Sequence, residues 1–110
     1  MTFGYVLRPQ ADLDIDNISD YLVEHAGLDT GLQFLSDIYE TFATLTLHPE
    51  MGWPCKVRNL QITNARVFRV SARFEKYLIF YQLIQGRIEI LRVLHGAQDL
   101  AALFGREGIG

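Results

Sequence analysis

The sequence predicts an α+β fold in which an antiparallel sheet carries a helical hairpin on one face. Three observations predict it. Residues 77–84 and 87–94 are apolar runs of strand length, separated only by Gln85-Gly86, a pair typical of a tight hairpin turn. The residues before this hairpin, 65–74, alternate between apolar and polar. Earlier in the chain, two segments place apolar residues at helical spacing, so helices precede the strands.

The hairpin turn fixes an expected register for its two strands. The expected opposite pairs are Ile84 with Arg87, Tyr81 with Ile90, Phe80 with Leu91, and Leu78 with Val93. One face then carries Tyr77, Ile79, Tyr81, Leu83, Ile88, Ile90, Arg92 and Leu94. The other carries Leu78, Phe80, Gln82, Ile84, Arg87, Glu89, Leu91 and Val93. Because both faces are largely apolar, we expect the hairpin at the centre of the sheet, with helices on the first face. We call the second the open face.

The first strand and helix follow from the N-terminal third. Residues 3–7 form a short apolar run that ends at Arg8-Pro9, and Pro9 suits the first turn of a helix. Apolar residues then recur at helical spacing up to Gly27, a typical residue after a helix end. The acids Asp12, Asp14, Asp16 and Asp20 suit the positive end of the helix dipole. They are not expected to bind a metal, because alternate residues on a helix diverge by about 200°.

The second helix is expected to begin near Thr30, where Thr30 and Gln33 resemble a capping box and Asp29 is a competing N-cap. It ends at His48-Pro49. Residues 49–64 have no sustained period and are interpreted as a connecting loop, with Trp53 as a lid over the helix ends. Residues 98–104 are expected to form a short C-terminal helix. The prediction is one domain, 1–110: an N-terminal strand, an antiparallel helical hairpin, a three-stranded antiparallel meander and a short C-terminal helix.

Composition limits the function. The 110 residues carry a net charge of −3 and one cysteine, so no internal disulfide can form, and Cys55 is expected to be an inert apolar side chain. Residues 1–55 hold nine acids and one base, whereas residues 56–92 hold eight bases and two acids. A general nucleic-acid binder would be basic overall.

No apolar run approaches the roughly 20 residues of a membrane helix, and no residue pattern indicates a metal or a cofactor. We expect a cytoplasmic protein.

Several motifs resemble one family. They are the opening RPQADLDIDNISDYL (8–22), the HPEMGW segment after the second helix, YLIFY (77–81) and ILRVLHGAQDL (90–100). Together with the element order, they are similar to the RelE/ParE superfamily of bacterial type II toxins, and the RVLHGA ending indicates the ParE-like branch. The resemblance implies a toxin silenced by a small antitoxin encoded beside it, often within a dimer or a toxin–antitoxin heterotetramer.

The superfamily has two activities. RelE-like members cut messenger RNA on the ribosome, whereas ParE-like members poison DNA gyrase. RNA cleavage needs a base, an acid and cations around the phosphate. The nuclease branch typically has an arginine on the open face of the middle strand, where this sequence has Leu78. After the last strand, the nuclease branch has a basic stretch and a tyrosine. The corresponding residues here are His95-Gly96-Ala97-Gln98-Asp99 and Phe104.

The resemblance therefore favours a non-enzymatic gyrase poison, with a RelE-like ribonuclease using Arg66, Arg69, Arg73 and His95 as the alternative. A third possibility is an inert member that only binds a partner. For His95, one interpretation is a turn that caps the last helix, and the other is an acid–base dyad with Asp99.

The open face suggests a partner-binding surface. Its apolar residues, Leu78, Phe80, Leu91 and Val93, are predicted to form an exposed patch beside Arg69 and Arg73. Such a patch suits the acidic, amphipathic segment of an antitoxin. The alternative is that the C-terminal turn covers these residues through Leu100, Leu103 and Phe104. Arg92 is expected to face the helices and to pair with an acid from residues 12–40.

Overall fold

The protein combines a mixed sheet with two long helices, so the predicted α+β class is confirmed. The structure is a computed structural model that describes residues 4–57 and 62–96. Its elements are β1 (Tyr5–Leu7), α1 (Pro9–Ala26), α2 (Leu28–Leu47), a 3-10 turn (Pro49–Met51), β2 (Trp53–Val57), β3 (Ile62–Arg69), β4 (Tyr77–Ile84) and β5 (Arg87–His95). The predicted C-terminal helix, 98–104, lies outside the described residues.

The five strands lie in the order β1-β5-β4-β3-β2. The pairs β5–β4, β4–β3 and β3–β2 are antiparallel, whereas β1 is parallel to β5. The backbone N–H of Arg8 continues this parallel pairing by donating to the carbonyl of Ile90 at 3.0 Å. Between β1 and β2 the chain forms the helical hairpin, which covers one face of the sheet.

Gly27 joins the two helices in a single residue. Its φ of 99° lies in the left-handed region, and its N–H closes α1 by donating to the carbonyl of Val23. The second helix therefore begins at Leu28, and the capping box predicted at Thr30 is wrong. The Thr30 hydroxyl instead donates to the carbonyl of Ala26, the last residue of α1, at 3.0 Å.

The main core lies between the helices and the sheet. Its fully buried members include Ile15 on α1, Phe34, Ile38 and Phe42 on α2, and Ile79, Tyr81, Ile88 and Ile90 on the sheet. Each of these side chains is removed from water on folding. This burial stabilises the fold by about 25 cal/mol per Å² of apolar surface. The helices approach closely at Gly31, where an added Cβ would overlap a methyl group of Val23.

The predicted loop 49–64 is wrong, because it contains a 3-10 turn and an additional strand. Strand β2 pairs with β3 at the edge of the sheet, with Trp53 opposite Val67 and Cys55 opposite Ala65. Pro54 lacks a backbone donor, which an edge strand tolerates. Trp53 does not cover the helix ends: its ring stacks on Phe68, with centroids 5.9 Å apart, and it remains 61% exposed.

Strand β3 is shifted relative to its prediction, since it runs from Ile62 to Arg69 rather than from 65 to 74. The segment between β3 and β4 turns back at residues 70–76. Val70 and Phe74 join the main core as expected, whereas Ala72 is exposed. Arg73 therefore lies in a turn, and not on the strand.

A β-bulge changes the register of the central hairpin. The pairs Ile84–Arg87 and Tyr81–Ile90 are as predicted, but the next pair joins Phe80 to Arg92 and skips Leu91. Beyond the bulge every residue of β5 is displaced by one. Leu78 therefore lies opposite Leu94, and not opposite Val93. Since displacement by one residue exchanges the faces of a strand, Val93 lies in the helix-side core and Leu94 on the open face.

Arg92 reaches the first helix, as predicted. Its Nε donates to Asp14 Oδ2 at 2.8 Å and its Nη2 to Oδ1 at 3.0 Å, which is a bidentate pair. The backbone N–H of Val93 also donates to Asp14 Oδ2 at 3.0 Å. The Asp14 carboxylate thus ties α1 to β5 next to the bulge, with 8% of its side chain exposed.

Candidate functional site: the open face and its basic rim

The open face carries a second, smaller apolar cluster. We call it the open-face cluster. Its buried members are Ala65, Phe80, Leu91 and Leu94, and Cys55, Val67 and Leu78 pack against them from three strands. The cross-strand pairs Val67–Phe80 and Leu78–Leu94 place these side chains on the same side of the sheet.

Only part of this cluster is accessible, contrary to the predicted exposed patch. Phe80 is 3% exposed and Leu91 1% exposed, whereas Leu78 is half-buried. Val93, the fourth predicted member, is 1% exposed on the helix side, because the bulge moves it there. Among the predicted apolar contact residues, Leu78 is therefore the one that a partner can touch, and Phe80 and Leu91 support it from beneath.

Basic residues border the cluster where β3 ends and β4 begins. Arg69 lies opposite Leu78 in the strand register and is exposed. Arg73 and Lys76 follow in the turn, and both are exposed. We call these three residues the basic rim. Lys76 was not among the predicted site residues, because the sequence indicated only that Glu75-Lys76 turns the chain.

Helix α2 holds the turn that carries the rim. Asp37 Oδ2 accepts a hydrogen bond from the Ser71 hydroxyl at 2.8 Å, and the Ser71 oxygen accepts from the Phe74 N–H at 3.2 Å. The Thr41 hydroxyl donates to the carbonyl of Val70 at 2.6 Å. The Phe34 ring packs edge-on against Phe74 at 5.4 Å. These contacts fix the turn, so Arg73 and Lys76 project from a rigid support.

Two shallow depressions adjoin the rim. The first, of about 360 Å³, is lined by Arg73, Phe74, Glu75, Lys76, Tyr77 and His95. The second, of about 390 Å³, is lined by Glu75, Lys76, Leu78, His95 and Gly96. Glu75, Lys76 and His95 belong to both, so Arg73, Lys76 and the accessible side chain of Leu78 lie around one continuous surface, with one acid among the bases. An acidic and partly apolar ligand fits this combination.

His95 ends strand β5 beside this surface. It lies opposite Tyr77, and the two rings meet edge-to-face with centroids 5.1 Å apart. The next residue, Gly96, donates its N–H to the carbonyl of Lys76 at 2.7 Å. Asp99, the predicted partner of a dyad, lies outside the described residues. The structure thus brings Arg73 and His95 to one depression.

Arg66 does not join them. Its cross-strand partner is Tyr81, which faces the helices. The Arg66 guanidinium donates to the carbonyls of Gly52 at 2.6 Å and Glu50 at 3.3 Å, so it secures the 3-10 turn. Of the four residues of the alternative catalytic set, Arg66 therefore has a structural role on the other side of the sheet.

Gln82 and Glu89, two polar residues of the open face, are paired within the fold. Gln82 donates to Glu89 Oε1 at 2.6 Å, and Arg8 donates to the same oxygen at 3.2 Å. Burial favours a higher pKa for Glu89, but the hydrogen bonds from Gln82 and Arg8 and the nearby arginine charges outweigh it and lower the pKa. Glu89 therefore stays ionised and pairs within the fold.

Cys55 supports the open-face cluster, as expected for an apolar side chain. It is a free cysteine, and burial raises the pKa of its thiol. A raised pKa leaves little thiolate at neutral pH, which makes the group a poor nucleophile.

Comparison with known proteins identifies the family. The family model of the ParE toxin of type II toxin–antitoxin systems, parDE, matches residues 5–100. The chain belongs to this family. It is therefore a type II toxin, and the resemblance noted in the sequence motifs is confirmed.

Two relatives agree with this assignment. Toxin ParE1 of Caulobacter vibrioides is 29% identical over 101 residues, which cover 92% of this chain and 97% of the relative. A solved structure of a chromosomal ParDE toxin–antitoxin system from P. aeruginosa matches with a TM-score of 0.68 and 22% identity. That match covers 84% of this chain and 95% of the other, and it shows that the two chains share a fold.

Within the described ranges, neither helix is long and apolar enough to cross a membrane.

Proposed function

We propose that this ParE-family toxin inhibits DNA gyrase in the cytoplasm, without catalysing a reaction of its own, and that a cognate antitoxin encoded beside it neutralises it. Family membership supports the toxin role, and the resemblance to the ParE-like branch supports gyrase as the target. The observation that carries the non-enzymatic part of the proposal is the environment of Leu78.

Leu78 occupies the position where the nuclease branch has an arginine. Its side chain packs against the open-face cluster, so hydrocarbon replaces a guanidinium at the middle of the sheet. Arg66 is engaged with two backbone carbonyls on the opposite side. A phosphoryl transition state needs several cations converging on one phosphate. These two positions do not supply them, which favours binding over catalysis.

One observation favours the alternative, a ribonuclease. Arg73, Lys76 and His95 line the same depression of about 360 Å³. A histidine can transfer protons near neutral pH, and two cations can hold a phosphate. This arrangement occurs at one end of the sheet, beside Glu75, whose charge opposes an anionic ligand.

Expression of the toxin from an inducible promoter in bacteria separates the two functions. We expect filamentation and DNA damage, and we expect the purified toxin to inhibit supercoiling by purified gyrase. The variant His95→Gln should retain both effects, because a gyrase poison needs no proton transfer. Removing a general acid or base from a nuclease lowers its rate by about 10²- to 10⁴-fold. Rapid loss of translation with cleaved messages, abolished by His95→Gln, would instead establish the ribonuclease.

We further propose that the antitoxin binds Leu78 and the basic rim. The three rim residues are exposed, and the turn that carries two of them is anchored to α2. An acidic segment can place carboxylates on these cations and an apolar side chain on Leu78. Charged contacts at the rim of an interface set its rate of association and its dependence on salt.

The double variant Arg69→Glu/Arg73→Glu is expected to weaken antitoxin binding by about 100-fold, since it replaces two attractive contacts with repulsive ones, worth about 2.7 kcal/mol in total. Titration calorimetry with the purified antitoxin measures the change, and the wild-type affinity should fall as salt rises. Arg87→Glu is a control for one charge reversal, to be compared with each single rim variant, because Arg87 is exposed at the far end of the β4–β5 hairpin. Equal affinities for the rim variant and the control would place the antitoxin elsewhere.

A further inference from the structure

The outer groove between α1 and α2 carries apolar side chains that remain partly exposed in the fold. On α2, Leu28 is 63% exposed, Leu32 54% and Tyr39 38%. Their spacing of four and seven residues places them on one face of the helix. Across the groove, Val23 of α1 is 38% exposed, and it lies directly against Gly31 of α2. We call these four apolar side chains, at positions 23, 28, 32 and 39, the hairpin stripe.

Acidic groups border the hairpin stripe. Asp12 and Asp16 are exposed and four residues apart, so they share one face of α1. Burial raises the pKa of Tyr39, and the negative charges of Asp12 and Asp16 raise it further, so both carboxylates act on the Tyr39 end of the stripe. Helices α1 and α2 contain eight acidic residues and no lysine or arginine. Among these acids, Asp14 forms an ion pair with Arg92 of β5, which neutralises its charge. The groove is therefore apolar along its length and negative at its edge.

We propose that the groove between α1 and α2 binds a basic, amphipathic helical segment of the target protein. The apolar face of that segment would lie on the hairpin stripe, and its lysine or arginine side chains would meet Asp12 and Asp16. The charge of the groove selects this occupant, because an acidic segment would be repelled. The inference rests on the proposed function, which makes the target gyrase. It also separates the target surface from the basic rim, two of whose residues lie in the turn between β3 and β4.

The test measures inhibition of purified gyrase by toxin released from its antitoxin complex. Leu32→Lys places a charge in the hairpin stripe and should raise the concentration for half-inhibition by at least about tenfold. Tyr21→Lys is the matched control. Tyr21 is 53% exposed, it stacks on His25, and its position is about 160° around α1 from Val23.

A second pair of variants tests the charge. Asp16→Lys should weaken inhibition, and the loss should be greater at low salt, where electrostatic attraction is least screened. Glu24→Lys changes the net charge equally on the same helix and should leave inhibition close to the wild type. Melting temperature and antitoxin affinity are measured for all four variants, and we expect both to be unchanged.

The remaining outcomes overturn the proposal in distinguishable ways. If the wild-type toxin does not inhibit gyrase, the proposed function falls and this inference falls with it. If the wild type inhibits gyrase and both groove variants inhibit it equally well, only the inference is wrong. Loss of antitoxin affinity in Leu32→Lys would make the antitoxin the occupant, and a changed oligomeric state in sedimentation would make it a second copy of the chain.

Discussion

Replacing Asp14 with alanine is expected to lower the free energy of unfolding by about 3 to 5 kcal/mol, the range measured when one partner of a buried ion pair is removed. Asp14 is 8% exposed, and it accepts hydrogen bonds from both the Arg92 guanidinium and the Val93 N–H. Without it, the partly buried Arg92 guanidinium and the buried N–H of Val93 lose their acceptor. Urea denaturation measures the change.

Asp16→Ala is the control for Asp14→Ala, because Asp16 is an exposed acid on the same helix. It should change the free energy of unfolding by no more than about 0.5 kcal/mol. The double variant Asp14→Leu/Arg92→Met removes both charges and should recover much of the loss, since apolar pairs often replace buried ion pairs at little cost. If Asp14→Ala unfolds at the same urea concentration as Asp16→Ala, the bridge contributes nothing to stability.

The region around the Asp14–Arg92 ion pair also shows how far the sequence could predict the register of the sheet. The Gln85-Gly86 turn fixes the register over the residues nearest to it, and both predicted pairs up to Tyr81–Ile90 are confirmed. The extra residue, Leu91, has no signal in the sequence, because apolar residues occur on both faces of β5 and alternation does not mark where the faces exchange. Next to it, Asp14 accepts the Val93 N–H, and a distant contact of this kind cannot be read from local pattern.

The bulge explains which site residues were misassigned. Leu78 and Phe80 lie on the open face as predicted, because β4 carries no extra residue, and Leu91 is itself the extra residue of β5. Val93 comes after it and faces the helices. Exposure was not predictable either: alternation assigns a side chain to a face, but burial depends on what packs over that face. Phe80 and Leu91 are therefore buried despite their correct placement.

Strand β2 was missed for a different reason. Trp53, Pro54 and Cys55 show no alternation, and a proline normally argues against a strand. At the edge of the sheet, pairing with β3 holds these residues in a strand although their sequence does not alternate. The same region contains the HPEMGW motif, whose role becomes clear in the structure, because its glycine meets the side chain of Tyr81.

Gly52→Ala is expected to lower the free energy of unfolding by about 3 kcal/mol, as overpacking a filled core costs about 1 to 3 kcal/mol and a broken buried hydrogen bond adds to this. A Cβ at Gly52 would lie 2.5 Å from the Tyr81 hydroxyl and 2.9 Å from the carbonyl oxygen of Val67. That hydroxyl accepts from the Gly52 N–H at 2.9 Å and donates to the Pro49 carbonyl at 2.7 Å. Burial raises the pKa of the Tyr81 phenol, which keeps the donor proton in place.

Gly4→Ala is the matched control, because nothing lies within 4 Å of a Cβ built at Gly4, and it should leave the urea midpoint unchanged. Tyr81→Phe removes the hydroxyl and both of its hydrogen bonds without adding an atom. In the double variant Gly52→Ala/Tyr81→Phe the closest clash is gone. The loss of unfolding free energy in the double variant should therefore be smaller than the sum of the losses in the two single variants, by a coupling energy of about 1 kcal/mol. If the losses of the two single variants add up to that of the double variant, the 3-10 turn shifts to accommodate the added Cβ at Gly52, and the Tyr81 hydroxyl does not fix the position of the turn.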